Sequence, residues 1–453
     1  MKRIWLVLLS LGLIMAFSAS AFAVDVNVSG SFYVGGLYLN KISVDDNYKV
    51  GTTTANPSTA FFYQRLRVET DFIVSPGLKL VTRFDALERI WGGARSAPGT
   101  TLAADSAGTV AENENIAFDW AYIDYVSPIG TFDVGYQEIG NTGTIFGNST
   151  VPGGRIKYTT IPFGPFIIKA DITKHSDGSY SYNNPVPYTN ADENQYGLEG
   201  VYNFKGGRAG MKIQYNDYAG DEPTDNYSRK YTVFTPYAIA TIGPVNIQAE
   251  VNYAVGKFKS YDSGITGEDM DMSNLTAFLD ATATFAPIYV GGTFAYVSGD
   301  DPNTKDKQEG GTLNGGTDWN PCLILFSYYD LTNWVGAING YDPSTVNKQI
   351  NGQVDGPMYN AWFGQGRIGV KPTPELDVML SLSYAKADQK PLNYIGGTYG
   401  TEVDITGTYK ITNNLSYMLG FGYLFTGDYF KGTSGNNRVD DDYLLMNKLT
   451  LSF

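Results

Sequence analysis

A chain of 453 residues with a net charge of −14, 34 Tyr, 24 Phe and 52 Gly is too aromatic and too rich in glycine for a typical soluble enzyme, and its acidity excludes nucleic acid as a partner. Mean hydropathy is slightly negative, and past Phe17 no apolar run reaches the ~18 residues a membrane helix needs, which excludes a helical membrane protein. Cys322 and His175 are each alone, so an internal disulfide, a c-type haem motif and a structural zinc site are not expected, and no G-x-S-x-G elbow accompanies the histidine.

Lys2 and Arg3 precede an uninterrupted apolar run from Ile4 to Phe17 and a small-residue segment closing on Ala21-Phe22-Ala23. This pattern predicts a secretory signal peptide over residues 1–23, cut before Val24, and no Cys follows the cut to carry a lipid anchor. An alternating strand is expected over 26–39. Tight turns then recur at Ser75-Pro76-Gly77, Ser127-Pro128-Ile129-Gly130, Pro162-Phe163-Gly164-Pro165, Lys205-Gly206-Gly207, Ile242-Gly243-Pro244, Ala286-Pro287, Lys371-Pro372-Thr373-Pro374 and Thr412-Asn413-Asn414, each flanked by alternating strands. Eight hairpins supply sixteen strands, and terminal strands at 26–39 and 443–453 bring the total to about 18, an even number with both ends on the side of the short turns. The long segments between hairpins (40–58, 90–115, 140–152, 176–193, 220–227, 259–272, 299–361, 387–399 and 427–441) then lie on the opposite side.

The strands are two-faced. In Val245 to Tyr253 the odd positions Val245, Ile247, Ala249, Val251 and Tyr253 are apolar, while Asn246, Gln248, Glu250 and Asn252 are polar; Leu275 to Phe285 repeats the alternation. The last strand places Tyr443, Leu445, Leu449 and Leu451 on one face and Lys448, Thr450 and Ser452 on the other, with Asn447 the single polar residue on the apolar side. It ends on the aromatic Phe453, the expected signal to the barrel-assembly machinery. This is the pattern of an all-β, antiparallel, up-and-down transmembrane barrel of about 18 strands, with short periplasmic turns and long extracellular loops, in contact with outer-membrane lipids. A secreted β-sandwich or propeller is the competing architecture.

Charges within strands must point inward, because each would cost ~2–4 kcal/mol in lipid near the midplane. Arg65, Arg67, Glu69 and Asp71 share one face of the second strand, Lys79, Arg83 and Asp85 one face of the third, and Glu402 and Asp404 one face of a late strand. Arg155, Lys157, Lys169 and Arg367 add positive charge, and Glu250 negative. These groups are expected either to orient polar solutes in a water-filled lumen or to form salt-bridge ladders that stiffen the wall.

Removing Lys2 and Arg3 with the signal takes the net charge to −16, and the excess acid lies in loops such as Asp300-Asp301, Glu268-Asp269 and Asp440-Asp441-Asp442, an acidic mouth that would concentrate cations. Residues 298–310 and 435–442 have Asp/Asn spacing that could hold Ca²⁺, though neither matches the EF-hand pattern. The 299–361 loop is far longer than a structureless connection, and its run Cys322-Leu323-Ile324-Leu325-Phe326 would not rest in water. It is expected to cap the pore or fold inward as a constriction; a further strand pair over 322–329 would raise the count to about 20.

The segments Tyr122-Ile123-Asp124-Tyr125 with Phe132-Asp133-Val134-Gly135-Tyr136-Gln137-Glu138, and Gly400-Thr401-Glu402-Val403-Asp404-Ile405 through Gly427-Asp428, resemble the alginate-export porin family of Gram-negative outer membranes. The resemblance implies an 18-stranded barrel that passes an anionic polysaccharide. That family's arginine-dense lumen is partly mirrored by Arg65, Arg67, Arg83, Arg155 and Arg367. The reading is a porin for passive diffusion of ions and small hydrophilic solutes, without catalysis, cofactor or metal. The alternatives are a barrel that sheathes a periplasmic or extracellular partner protein, an exporter of an anionic polysaccharide, and a barrel hydrolase using His175.

Overall fold

The computed structural model describes residues 24–50, 54–93, 116–178, 191–262, 264–265, 267–311, 313–341 and 353–453. The predicted signal peptide lies outside the described residues, as do parts of the predicted 90–115, 176–193 and 299–361 loops.

Eighteen long strands form the wall: β1 (Asp25–Leu39), β2 (Thr59–Ser75), β3 (Leu78–Ile90), β4 (Ile116–Ser127), β5 (Gly130–Gly140), β6 (Ser149–Thr160), β7 (Phe166–Ser176), β8 (Glu193–Phe204), β9 (Gly207–Tyr218), β10 (Tyr227–Ile242), β11 (Val245–Tyr261), β12 (Met270–Phe285), β13 (Ile288–Val297), β14 (Ala361–Thr373), β15 (Leu376–Ala387), β16 (Thr398–Lys410), β17 (Leu415–Thr426) and β18 (Asp442–Ser452). Each pairs antiparallel with its chain neighbours. β1 pairs with β18 from Ser31 opposite Ser452 to Leu39 opposite Leu444, which closes the sheet and removes its edges. All eight predicted tight turns join consecutive strands at one end of the barrel. Cys322 to Tyr329 forms no strand, so the wall stays at 18 rather than 20.

Period-two alternation decides what faces out. Leu198, Ile213, Leu279, Ile368, Leu382, Ile405 and Leu419 are all exposed on the outer surface, an apolar band that only lipid would cover without penalty. Aromatic contacts mark both ends of this band. At the turn end Phe163 meets Phe166 at 5.9 Å and Phe166 meets Tyr202 at 5.1 Å. At the loop end Tyr38 lies 5.9 Å from Tyr443, and Tyr423 lies 4.7 Å from Phe425. Rings at this level suit a membrane–water interface, and the tyrosines among them carry a hydroxyl for the water side.

The inner wall is divided. Between β12 and β2, passing through the closure, many inward positions in the loop-side halves of the strands are apolar: Phe278, Val297, Phe363, Tyr399, Leu424, Leu444, Met446, Tyr33, Leu37 and Tyr63 belong to one buried cluster, with Thr276, Ser383 and Glu402 buried among them. Ile324, Leu325, Phe326, Leu331, Ile338, Val354 and Met358, all from the 298–360 segment, complete that cluster. The described residues of this segment therefore enter the barrel and, with Val44, Phe146, Tyr394, Tyr429 and Phe430 of other loops, cover the loop-side part of that stretch of wall. It carries a π-helical turn at Tyr328–Thr332 and one helical turn at Asn333–Val335. Glycine on the wall makes room: a Cβ on Gly35 would fall 2.4 Å from the Tyr63 ring, and one on Gly420 3.1 Å from Leu323 Cδ1.

Asp355 is the polar centre of the inserted segment. It is fully buried, and its carboxylate accepts hydrogen bonds from the Ile338 N–H at 2.9 Å, the Thr332 hydroxyl at 2.9 Å and Gln353 Nε2 at 3.2 Å. Burial outweighs these donors and pushes its carboxyl up to about 7. With the packed-state value raised above the unpacked value of ~3.9, ionisation favours the unpacked state increasingly from about pH 4 to pH 7, and the effect levels off above that. Hydrogen-exchange protection of the 326–338 amides, corrected for intrinsic rates, is thus expected to fall between pH 5 and pH 8. Asp355→Asn should flatten that dependence; an unchanged slope in the variant would remove Asp355 as its cause.

Candidate functional site

The other half of the lining, β2 to β11, keeps its inward charges. On β2 and β3, Arg67 makes a two-pronged bond to Asp85, both contacts 2.7 Å. Arg65 lies 3.8 Å from the same carboxylate and 3.7 Å from Glu88, and donates to the Tyr329 hydroxyl of the inserted segment. Lys79 binds Asp71 at 2.7 Å. Arg83 reaches Asp119 at 3.0 Å and lies 3.5 Å above the Trp120 ring. Glu69 is half-buried and has no ion pair among the described residues. Alternation alone cannot put both Asp119 and Trp120 inside. The register shifts between Arg83 and Phe84, which leaves Asp119 as the extra residue of a bulge.

The ladder continues around the wall. Lys157 meets Asp133 at 2.6 Å, Arg155 meets Asp171 at 2.7 Å, and Lys169 meets Glu199 at 3.1 Å, while the Tyr237 hydroxyl donates to Glu199 at 2.5 Å. The partners are unequally exposed. The side chain of Lys157 is 28% exposed against 9% for Asp133, and that of Lys169 35% against 10% for Glu199. In these two pairs the acid is the more buried partner, whereas at Arg83 and Asp119 the order is reversed, 8% against 19%.

A second loop crosses the bore. Residues 141–148, between β5 and β6, run to the far side and dock on β11 and β12. The Glu250 carboxylate accepts from the Thr144 N–H at 2.6 Å and the Thr144 hydroxyl at 2.9 Å, and Phe146 stacks on Phe278 at 5.0 Å. Lys212 donates to the Thr142 hydroxyl at 3.1 Å. The docking is too close for side chains at two loop positions: a Cβ would lie 2.3 Å from Glu250 Oε2 at Gly143, where φ is +78°, and 2.9 Å from Oε1 at Gly147. Bonds from the Gly316 N–H to the Phe146 carbonyl (2.7 Å) and from the Asp318 N–H to the Asn148 carbonyl (3.1 Å) join this loop to the 298–360 segment.

Two cavities flank the crossing loop, and Thr142 lines both. The one on the turn side, 340 Å³, is bordered by Trp120, Glu138, Arg155, Lys157, Lys169, Glu199, Arg208 and Tyr237. The one on the loop side, 300 Å³, is bordered by His175, Gln195, Lys212 and Gln214. His175 hydrogen-bonds Gln195 at 2.9 Å and packs on Tyr218 at 5.3 Å, and among the described residues no hydroxyl or thiol nucleophile is bonded to it.

The remaining predicted site residues are inward but fall into different surroundings. Arg367 binds Asp280 and the Thr293 hydroxyl, both at 2.8 Å. Glu250 is almost wholly buried under the 141–148 loop, at the border of the 300 Å³ cavity, while Glu402 and Asp404 are buried beneath residues 321–325. Phe453 closes the barrel seam, exchanging backbone bonds with Gly30 at 2.9 and 3.1 Å. Sequence reading passed over Asp119, Trp120 and the crossing loop. The signal it had for the covered half was present in the strands, where Phe278, Leu444 and Met446 are apolar at inward parity.

No protein-family model and no curated protein matches the sequence. Solved structures match along nearly the whole chain. Pseudomonas aeruginosa OccK2 (OpdF), crystallised with glucuronate, is 12% identical with a TM-score of 0.52, covering 95% of this chain and 97% of its own. Acinetobacter baumannii OccAB3 is 11% identical with a TM-score of 0.53, over 94% and 100% of the two chains. Pseudomonas aeruginosa OpdK, crystallised with vanillate, is 12% identical with a TM-score of 0.50, over 94% and 99%. At this identity the likeness is one of fold: the chain is a closed, porin-like barrel of 18 strands, the fold of these outer-membrane proteins. Membership of the alginate-export family is not shown.

Proposed function

We propose that the chain is a porin through which small hydrophilic solutes diffuse passively along the charged β2–β11 wall, and that the two inserted loops narrow this passage. The carrying observation is the balance of charge along the ladder. Lys157 and Lys169 are more exposed than Asp133 and Glu199, and a solute in the 340 Å³ cavity meets Arg155, Lys157, Lys169 and Arg208 against Glu138 and Glu199, an excess of positive groups. Small carboxylates suit that surface, with the Trp120 and Tyr237 rings offering apolar contact to their carbon skeletons. Glucuronate and vanillate, each bound by one of the structures of similar fold, are carboxylates of this size. The inserted loops occupy space that a sheathed partner protein would need.

The test is the reversal potential of the purified protein in a planar bilayer under a KCl gradient. Anion preference is expected, and the double change Lys157→Glu with Lys169→Glu should reverse its sign. Cation preference in the unaltered protein would mean that the acidic mouth dominates and would sink the carboxylate reading. A protein that conducts only after a co-purifying partner is stripped away would be a sheath.

A further inference from the structure

Cys322 lies at the tip of the inserted segment, against two neighbouring carboxyls of β16. It is 5% exposed, Glu402 0% and Asp404 3%, and one ligand atom from each falls within 4.8 Å of the others. Glu402 Oε1 and Oε2 accept the Ile324 and Leu325 N–H groups, both at 2.7 Å, so the carboxyl is fastened to the backbone of the inserted segment. Asp404 Oδ2 accepts from the Ser381 hydroxyl at 3.3 Å, but buried Oδ1 has no hydrogen-bond donor at all. A Cβ on Gly422 would fall 2.7 Å from that oxygen, 3.0 Å from Leu323 Cβ and 3.3 Å from Glu402 Oε1, so the glycine is what lets the two acids and the loop tip pack this closely. No Lys, Arg or His among the described residues pairs with either acid.

We infer that Cys322, Glu402 and Asp404 bind a zinc ion that fastens the loop tip to the barrel wall. Two adjacent carboxyls in a dry pocket need compensating positive charge, a metal ion or a shared proton, and the unpartnered oxygen together with a thiol among ligand atoms within 4.8 Å of one another favours the metal. A thiolate beside two carboxylates suits a borderline metal that accepts both sulfur and oxygen; calcium and magnesium take oxygen ligands. Binding would displace the thiol proton and any proton held between the carboxyls, and water would complete a four-coordinate ion. Sequence spacing could not suggest this. The cysteine has no Cys or His near it, and the carboxylates arrive from a strand about eighty positions onward.

The experiment uses the full chain in detergent, both as isolated from membranes and refolded with Zn²⁺ or Co²⁺. One zinc per chain is expected by mass spectrometry, and Co²⁺ should give a thiolate charge-transfer band with the visible absorption of a tetrahedral site. Both should be lost in Cys322→Ser and in Asp404→Asn, with each variant retaining the heat-modifiable gel migration of a closed barrel. Absence of the cobalt–thiolate band in the refolded wild-type protein overturns the proposal, as does a band that survives both substitutions. A carboxylic-acid infrared band lost in Asp404→Asn but unmoved by excess Zn²⁺ would likewise overturn it, identifying a proton shared between Glu402 and Asp404. None of these readouts depends on conductance, so the transport reading stands or falls separately.

Discussion

Glu250→Ala is expected to raise single-channel conductance by about two-fold or more, because Glu250 is the principal anchor of the crossing loop. Its carboxylate takes two bonds from Thr144 while itself almost wholly buried. Hydrogen bonds to a charged group contribute ~1.5–3 kcal/mol each, and both would be lost together. A loss of that size moves an opening equilibrium by a factor of roughly 10² or more, enough to turn a rare released loop into a common one. The Phe146–Phe278 stack and the bonds to residues 316–318 remain, so the released state should appear as long-lived steps to a higher level rather than a uniform shift. Glu250→Gln, which keeps an acceptor for the Thr144 N–H, should fall between the two. Identical conductance in all three proteins would show that the 141–148 loop does not control the passage.

The second large effect is expected from Leu325→Asp. Leu325 is fully buried in the inner cluster, and its N–H is bonded to Glu402. The substitution removes ~2–3 kcal/mol of apolar burial and sets a carboxylate against an acidic pair, for which the segment's only relief is to leave the wall. Proteolysis within 313–341 should become fast in folded protein, and conductance should rise. The barrel itself should keep its heat-modifiable migration, because its ladder of strand pairs is independent of the segment. Leu325→Met, close in volume, is the control and should leave both measurements unchanged. If Leu325→Asp abolished barrel assembly instead, the segment would be part of the folding core rather than a lining laid upon it.

Together these variants separate the two inserted elements. Glu250 holds the crossing loop over a wet wall, whereas Leu325 holds the longer segment against a dry one. The dry wall was not expected from the charges, which suggested water throughout the bore.

What the sequence by itself determined is the cylinder. Strand and turn are local: alternation at period two states which side chains face lipid, and residues such as Gly77, Gly206 and Pro244 mark reversals without reference to distant parts of the chain. Counting hairpins therefore reached eighteen strands, and the cost of charge in lipid turned Arg67, Asp85, Arg155 and Lys169 inward. Only the tertiary structure decided what the inside contains. The bulge that adds Asp119 appears only when β3 and β4 pair, and Glu250 meets Thr144 across about a hundred intervening residues. Cys322 joins Glu402 and Asp404 only because residues 298–360 turn into the barrel instead of away from it. Inward parity says that a side chain leaves the lipid; whether it then meets water or another part of the chain depends on where the long loops fall, and loop path is set by contacts distant in sequence, not by local periodicity.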